Sequence, residues 1–319
     1  MAGKDIGSRD AVGCSEGHLV VAALLTGAAV WGLVWYPYRV LELAGFSSTA
    51  STALTYAISL AIGLVVFGCR IAGVPGPVDV GRSLGRFRAV ELRQHWRSAL
   101  LIALTAGWTN LAYVLAMVGG EVMRVLLLFY LAPLWTVILA RVLLGERLTL
   151  QSGALVALSL AGAMTMLWPE QGLPLPANAA EWLGLTAGLS FATLNVLSKG
   201  AEDMSVEAKS LATWAGVLLV SALWLAVGGG VWSVPDWSPA LWPQWLVVGI
   251  LGVVMFAITV IIQYGIARVP ANTAIVIFLF ELVAGAVSSA LLADETLRLR
   301  DWLGGALIVS ASLVAAARR

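Results

Sequence analysis

The chain of 319 residues is 60% hydrophobic and 12% charged, with a formal net charge of +1. Charge at about half the share usual in soluble domains leaves too few polar residues to cover so much apolar matter, which excludes a water-soluble globule and makes the lipid bilayer the surrounding medium. The balanced charge excludes a nucleic-acid partner, because the arginines form no tract with interleaved aromatics.

Residues 1–18 read as a cytoplasmic N-terminal tail. "MAGKDIGSRD" is polar and has no apolar h-region, so no cleavable signal is expected. Cys14 and Cys69 make neither a metal pattern nor a disulfide framework, and no cofactor or metal site is expected. Apolar windows, punctuated by Gly, Pro and charge, then predict ten membrane helices in an all-α polytopic fold. Span 1 (19–41) carries Trp31 and Trp35 one turn apart, Tyr38 three residues on, and Pro37. Span 2 (50–69) follows. Span 3 (98–118) holds Thr105, Thr109, Asn110 and Tyr113, and span 4 (122–143) holds Phe129, Tyr130 and Pro133. Span 5 (152–168) has small residues at Gly153, Ala157 and Ala161. Span 6 (182–198) carries Ser190, Thr193, Asn195 and Ser198; span 7 covers 210–228; span 8 (245–267) carries Thr259, Gln263 and Tyr264. Span 9 (271–292) contains Phe278 and Glu281, and span 10 (302–317) has Ala306 and Ser310.

With the N-terminus placed in the cytoplasm, all but four of the 19 Lys and Arg residues fall on that side; Arg39, Arg124, Arg298 and Arg300 are the exceptions. This asymmetry predicts cytoplasmic N- and C-termini in a bacterial inner membrane. Trp168, Trp182, Trp232, Trp237, Trp242 and Trp245 gather at the opposite ends of the spans, as an interfacial belt would.

Two echoes run through the chain. "YVLAMV" from Tyr113 matches "YGIARV" from Tyr264, and "LLGERLTL" from Leu143 matches "LADETLRL" from Leu292, at offsets of 151 and 149. Phe129 then aligns with Phe278, and Ala132 with Glu281. Each copy holds five spans, an odd number, so the second (182–317) enters from the side opposite to the first (19–168). The expectation is an inverted repeat around a central cavity, an arrangement of secondary transporters.

The stretches "AAVWGLVWYPYRVLE", "YLAPLWTVILARVLLGERLT" and "FLFELVAGAVSSALLADETL", with Glu146–Leu148 and Glu295–Leu297 closing the two late turns, resemble the EamA-type branch of the drug/metabolite transporter superfamily. One departure is that Leu282 follows Glu281, where the family often has proline; the proline stands in the first repeat as Pro133. The resemblance implies ten helices in two inverted repeats, a cavity lined by spans 1, 3, 4, 6, 8 and 9, and spans 5 and 10 to the side. Their small residues suit close helix packing and a possible homodimer.

Polar side chains avoid lipid and turn inward, as interhelical glue or as substrate contacts. The bulkier amides Asn110, Asn195 and Gln263 are candidates for substrate, with Tyr113. Trp31, Trp35, Tyr38, Tyr130 and Phe278 serve either as core or as the wall of a pocket for amphiphilic or aromatic molecules. Pro37 and Pro133 are either hinges or tolerated kinks. Glu281 alone among 18 acidic residues sits deep in a span, where a charge costs about 2.5–3.5 kcal/mol even on insertion scales. Three roles are open to it: carrying a proton coupled to transport, hydrogen-bonding a substrate ammonium, or joining two helices as a neutral acid.

The expected function is export of small organic metabolites by alternating access. Amino acids, aromatic or other neutral ones, are the class the resemblance implies. Carriage of other amphiphilic or cationic metabolites is the alternative, and a receptor or scaffold the third reading. No phosphate loop and no paired catalytic constellation is present, so neither direct ATP drive nor an enzyme is expected.

Overall fold

The computed structural model describes residues 6–71, 89–120, 122–168, 176–236, 238–292 and 298–317, and every regular element among them is helical. The order is α1 (Ile6–Leu43), α2 (Ser48–Ile71), a short α3 (Ala89–Gln94), α4 (Trp96–Gly119), α5 (Val122–Phe129), α6 (Ala132–Leu139), α7 (Leu150–Leu167), α8 (Ala179–Gly200), α9 (Val206–Ala226), α10 (Trp242–Ile266), α11 (Ala271–Phe278), α12 (Phe280–Leu292) and α13 (Leu299–Ala317). Six stretches among the described residues are long and apolar enough to cross a membrane: 19–43, 48–67, 96–119, 206–226, 239–266 and 271–292. Three shorter apolar helices occupy 132–144, 150–165 and 302–314. The chain is a multi-pass membrane protein.

Several boundaries differ from the sequence reading. Helix α1 continues back to Ile6, through most of the stretch read as a tail. Helix α9 starts at Val206, so Lys209 lies inside it rather than in a loop. Its side chain is only 2% exposed, and its Nζ donates to the Ser198 carbonyl at 2.7 Å. That amine serves the open carbonyls at the end of α8, where a cation also meets the negative end of the helix dipole. The start of α8 obeys ordinary capping chemistry. Asn178 accepts from the Glu181 amide at 3.0 Å, and Glu181 reaches back to the Ala177 amide at 2.8 Å.

The segments read as spans 4 and 9 are each broken, and the breaks have local causes. Pro133 sits in the first turn of α6 and has no N–H to give the Phe129 carbonyl four residues back, so the helix stops at Phe129. In the second break the Leu282 amide bonds the Leu279 carbonyl at 3.1 Å, an i to i+3 contact that tightens the chain without any proline. The two helix ends, Phe129 and Phe278, are the residues that the sequence alignment pairs.

Around these breaks α1 packs between α10 and α12, α4 lies against α8 and α9, and α2 joins α9 and α10. Helices α7 and α13 pair with each other, with the Gly162 Cα facing the Gly304 carbonyl and Ile308 fully buried between them. Within one chain the close approach is made at Gly162 and Gly304, while Ala157, Ala161, Ala306 and Ser310, expected to serve close packing or a homodimer contact, face outward. Of the tryptophans expected to form an aromatic belt, Trp168, Trp182 and Trp242 are exposed at helix ends and Trp232 in the loop after α9, while Trp237 lies outside the described residues.

The turn before α7 has a structural use. Glu146 accepts from the Ala271 amide at 3.1 Å and from Asn272 Nδ2 at 3.0 Å, so a residue of the first half caps the first turn of α11. Its sequence counterpart Glu295, with Leu297, lies outside the described residues. Replacing Glu146 by Ala is expected to cost about 1–2 kcal/mol, by analogy with a lost helix cap. Thermal unfolding in detergent checks this; an unchanged midpoint would show that the cap contributes nothing.

Candidate functional site

Glu281 lies in the first turn of α12, directly after the break, and is 7% exposed. The Tyr113 hydroxyl of α4 donates to its Oε1 at 3.4 Å, a long contact. Tyr130, from the end of α5, brings its hydroxyl toward the same carboxylate, although its geometry falls short of a hydrogen bond. No Lys, Arg or His pairs with Glu281 among the described residues; the side chain of Arg124 lies outside them.

A run of aromatic rings surrounds this acid. Trp31 meets Tyr113 edge-on at 6.0 Å between centroids, and Tyr113 meets Phe129 at 5.1 Å. Phe129 then contacts Tyr130 at 5.3 Å and Phe191 at 5.5 Å, and Phe191 reaches Phe278 at 5.5 Å. Edge-to-face and offset contacts of this kind are favourable for ring quadrupoles. The run therefore joins α1, α4, both broken helices and α8, while Trp31 and Phe191 keep part of their surface exposed.

Two close backbone approaches hold the helices in register. A Cβ on Gly32 of α1 would lie 2.7 Å from the Glu281 carbonyl, and one on Gly188 of α8 would lie 2.3 Å from the Phe129 carbonyl. Only glycine lets these helices sit against the two breaks.

The remaining candidates divide. Trp35 gives its Nε1–H to Ser288 Oγ at 3.0 Å, and Ser288 donates to the Gly32 carbonyl at 2.8 Å, so Trp35 ties α1 to α12 beside the site. Tyr38 is buried in a separate core cluster with Tyr56, Trp214 and Met255. Asn110 accepts from the Tyr56 hydroxyl at 2.5 Å and donates to the Ala106 carbonyl at 2.7 Å, which spends its amide on joining α2 to α4. Tyr38 and Asn110 thus pack between helices, and Trp31, at one end of the aromatic run, lies against the same cluster as Tyr38. Pro37 lies inside an unbroken α1, whereas Pro133 begins α6 at the first break.

Asn195 and Gln263 form a different layer. Asn195 follows Phe191 by one turn of α8, is 1% exposed, and finds no partner for either amide atom among the described residues. Gln263 of α10 donates to Thr213 at 3.5 Å and leaves its Oε1 unpartnered. One turn further along α8, Lys199 Nζ donates to the Ala267 carbonyl at 3.2 Å, closing α8 onto the end of α10. Phe191 was missed in the sequence reading. Its signal was available: it stands one turn before Asn195 on the same helix face, but aromatic residues in apolar helices are too common to mark it.

An all-helical membrane bundle with a buried acid between two broken helices is an arrangement that secondary transporters use. Residues 18–168 and 178–317 each match the model of the EamA-like transporter family, and the chain belongs to that family. An uncharacterized transporter of Archaeoglobus fulgidus is 29% identical over 225 residues, 69% of this chain and 76% of that protein. An uncharacterized transporter of Pseudomonas aeruginosa is 26% identical over 229 residues, 68% of each. A solved structure, described only as the crystal structure of a protein, matches with a TM-score of 0.69 at 20% identity, covering 94% of this chain and 99% of that one. At that identity it speaks for the fold alone.

The polar residues give opposite expectations. Asn110→Leu leaves the Tyr56 hydroxyl with only the weak Met255 Sδ acceptor at 3.7 Å and is expected to cost about 1–3 kcal/mol. Asn195→Leu removes an unpaired buried amide and is expected to leave stability unchanged or raise it by about 1 kcal/mol, while slowing any process that must open this end. Melting temperatures of the two variants in one detergent decide between them; equal losses would show that Asn195 is held by a bond like that of Asn110.

Proposed function

We propose that the protein is a secondary transporter of small organic metabolites, with ten membrane helices in two inverted repeats working by alternating access. Counted with each broken pair as one span, the membrane helices are α1, α2, α4, α5–α6, α7, α8, α9, α10, α11–α12 and α13. The observation that carries the reading is the paired break. Phe129 and Phe278 end a half-helix in corresponding places of the two halves, and each break is overlaid by the first helix of the other half, through Gly188 and Gly32. The family model's two matches support the same division. Two such halves can exchange conformations and so expose the Glu281 region to either side in turn.

Amino acids are the substrate class proposed, moved outward across the inner membrane, with the termini cytoplasmic. Glu281 and the surrounding rings suit an amine on an apolar or aromatic body. The same carboxylate can carry a proton through the cycle, released when its surroundings are wet and held when they are dry.

Purified protein in liposomes loaded with unlabelled amino acid, supplied outside with the labelled form, tests this. Saturable exchange that an imposed pH gradient accelerates is expected, with Glu281→Gln losing the pH response but not the fold. Exchange indifferent to the gradient and to the substitution would make Glu281 a structural acid. Absence of exchange with every amino acid would remove amino acids as the substrates.

A further inference from the structure

The oxygens grouped at Glu281 specify a narrower ligand than the transport reading requires. Its carboxylate accepts from Tyr113 over 3.4 Å, a distance at which the hydrogen bond is weak. The Tyr130 hydroxyl is buried, lies toward the same carboxylate, and has no hydrogen-bond partner among the described residues. Three oxygen-bearing groups thus converge from α4, the end of α5 and α12: the Glu281 carboxyl and two phenols, each phenol able to accept through its oxygen as well as to donate. A buried polar atom without a partner is costly, and so are a buried carboxylate's remaining lone pairs.

Their neighbours add a second constraint. Trp31, Phe129, Phe191 and Phe278 supply rings whose faces carry negative quadrupole potential. Among the described residues no Lys, Arg or His at the site supplies the cation that a carboxylate or phosphate ligand would need, whereas the carboxylate and the phenolic oxygens can accept from a cationic donor. A primary ammonium has three N–H donors to match the three oxygens, and a flat apolar body could lie among the rings. A quaternary ammonium keeps the charge but has no donor to give.

We propose that the Glu281 site recognises a primary ammonium on an aromatic or apolar body, and that a ligand's own carboxylate weakens its binding. This rests on the transport reading of the same site and sharpens it. The recognised group is the amine that an amino acid carries, and the decarboxylated amine is the better ligand. Phe191 sets the fit of the body, because it bridges the ring that ends α5 and the ring that ends α11.

Four compounds sharing one indole ring separate the possibilities: tryptamine, tryptophan, N,N,N-trimethyltryptamine and indole-3-acetate. Binding of labelled tryptamine to purified protein in detergent, with the others as competitors, is measured beside tryptamine exchange in proteoliposomes. Tryptamine is expected to bind at least about tenfold more tightly than tryptophan and than the trimethylated amine, with no competition from indole-3-acetate; tenfold corresponds to about 1.4 kcal/mol. Glu281→Gln should reduce the preference for tryptamine over tryptophan to about twofold or less, and Tyr130→Phe should bring the trimethylated amine nearer to tryptamine. Phe191→Leu, which leaves all three oxygens in place, should weaken all amines together and keep their order.

Tryptophan binding as tightly as tryptamine, or competition by indole-3-acetate, would overturn recognition by charge. A trimethylated amine as tight as tryptamine would overturn recognition by the three oxygens. No tryptamine binding at all would overturn the proposal, even if amino-acid exchange proceeded. Tight, ordered binding without exchange would instead leave the proposal standing and overturn the transport reading.

Discussion

A carboxylate within an apolar bundle is the constraint around which the rest of this molecule is arranged. Glu281 is tolerable there because the helix that would have run through it is interrupted at Leu279, which places the acid in the first turn of α12, where the positive end of the helix dipole favours an anion. Tyr113 supplies a donor from α4. The interruption in turn requires a neighbour able to approach the irregular backbone, and Gly32 of α1 is that neighbour. Trp35 and Ser288 then lock α1 to α12 beside it. Removing any one of these contacts would leave the others without their reason.

The two halves meet the same physical demand by partly different means. Both breaks carry an i to i+3 hydrogen bond, Leu134 to Leu131 at 2.9 Å and Leu282 to Leu279 at 3.1 Å, but only the first also has a proline, Pro133. A proline at the second break would need no N–H partner, but Leu282 keeps an amide that bonds Leu279. The half without the proline carries the acid. From the other half, Tyr130 brings its hydroxyl toward that acid, and Phe129 packs edge-on against Tyr130.

The described helices are tied together unequally along their length. Near the ends of α8, α10 and α11, Lys199, Lys209 and Glu146 all bond to backbone groups of neighbouring elements, and Ala140, Val196 and Ala271 are fully buried among them. Just inside that closed end sit the amides of Asn195 and Gln263 with atoms left unpaired. Phe191, one turn before Asn195 on α8, packs against Phe129 and Phe278, the residues that end α5 and α11.

Composition and apolar runs by themselves determined that this chain lives in a membrane, because no arrangement of so few polar residues could cover its apolar surface. They also isolated Glu281, since a lone acid in an apolar run is conspicuous at any packing, but they left Pro37 and Pro133 alike as hinges or tolerated kinks, and only the structure breaks the chain at Pro133 while α1 runs on through Pro37. Only the tertiary structure separated the other candidates. Asn110 and Asn195 look alike in sequence, but one is bonded to Tyr56, 54 residues away in the chain, and the other to nothing described. Trp35 and Trp31 are one turn apart, yet one finds Ser288 and the other an aromatic run. Phe191, Gly188 and the cap made by Glu146 depend wholly on which helices cross. Local chemistry is written in neighbouring residues, whereas the partner of a buried polar group is chosen by packing between elements far apart in the chain.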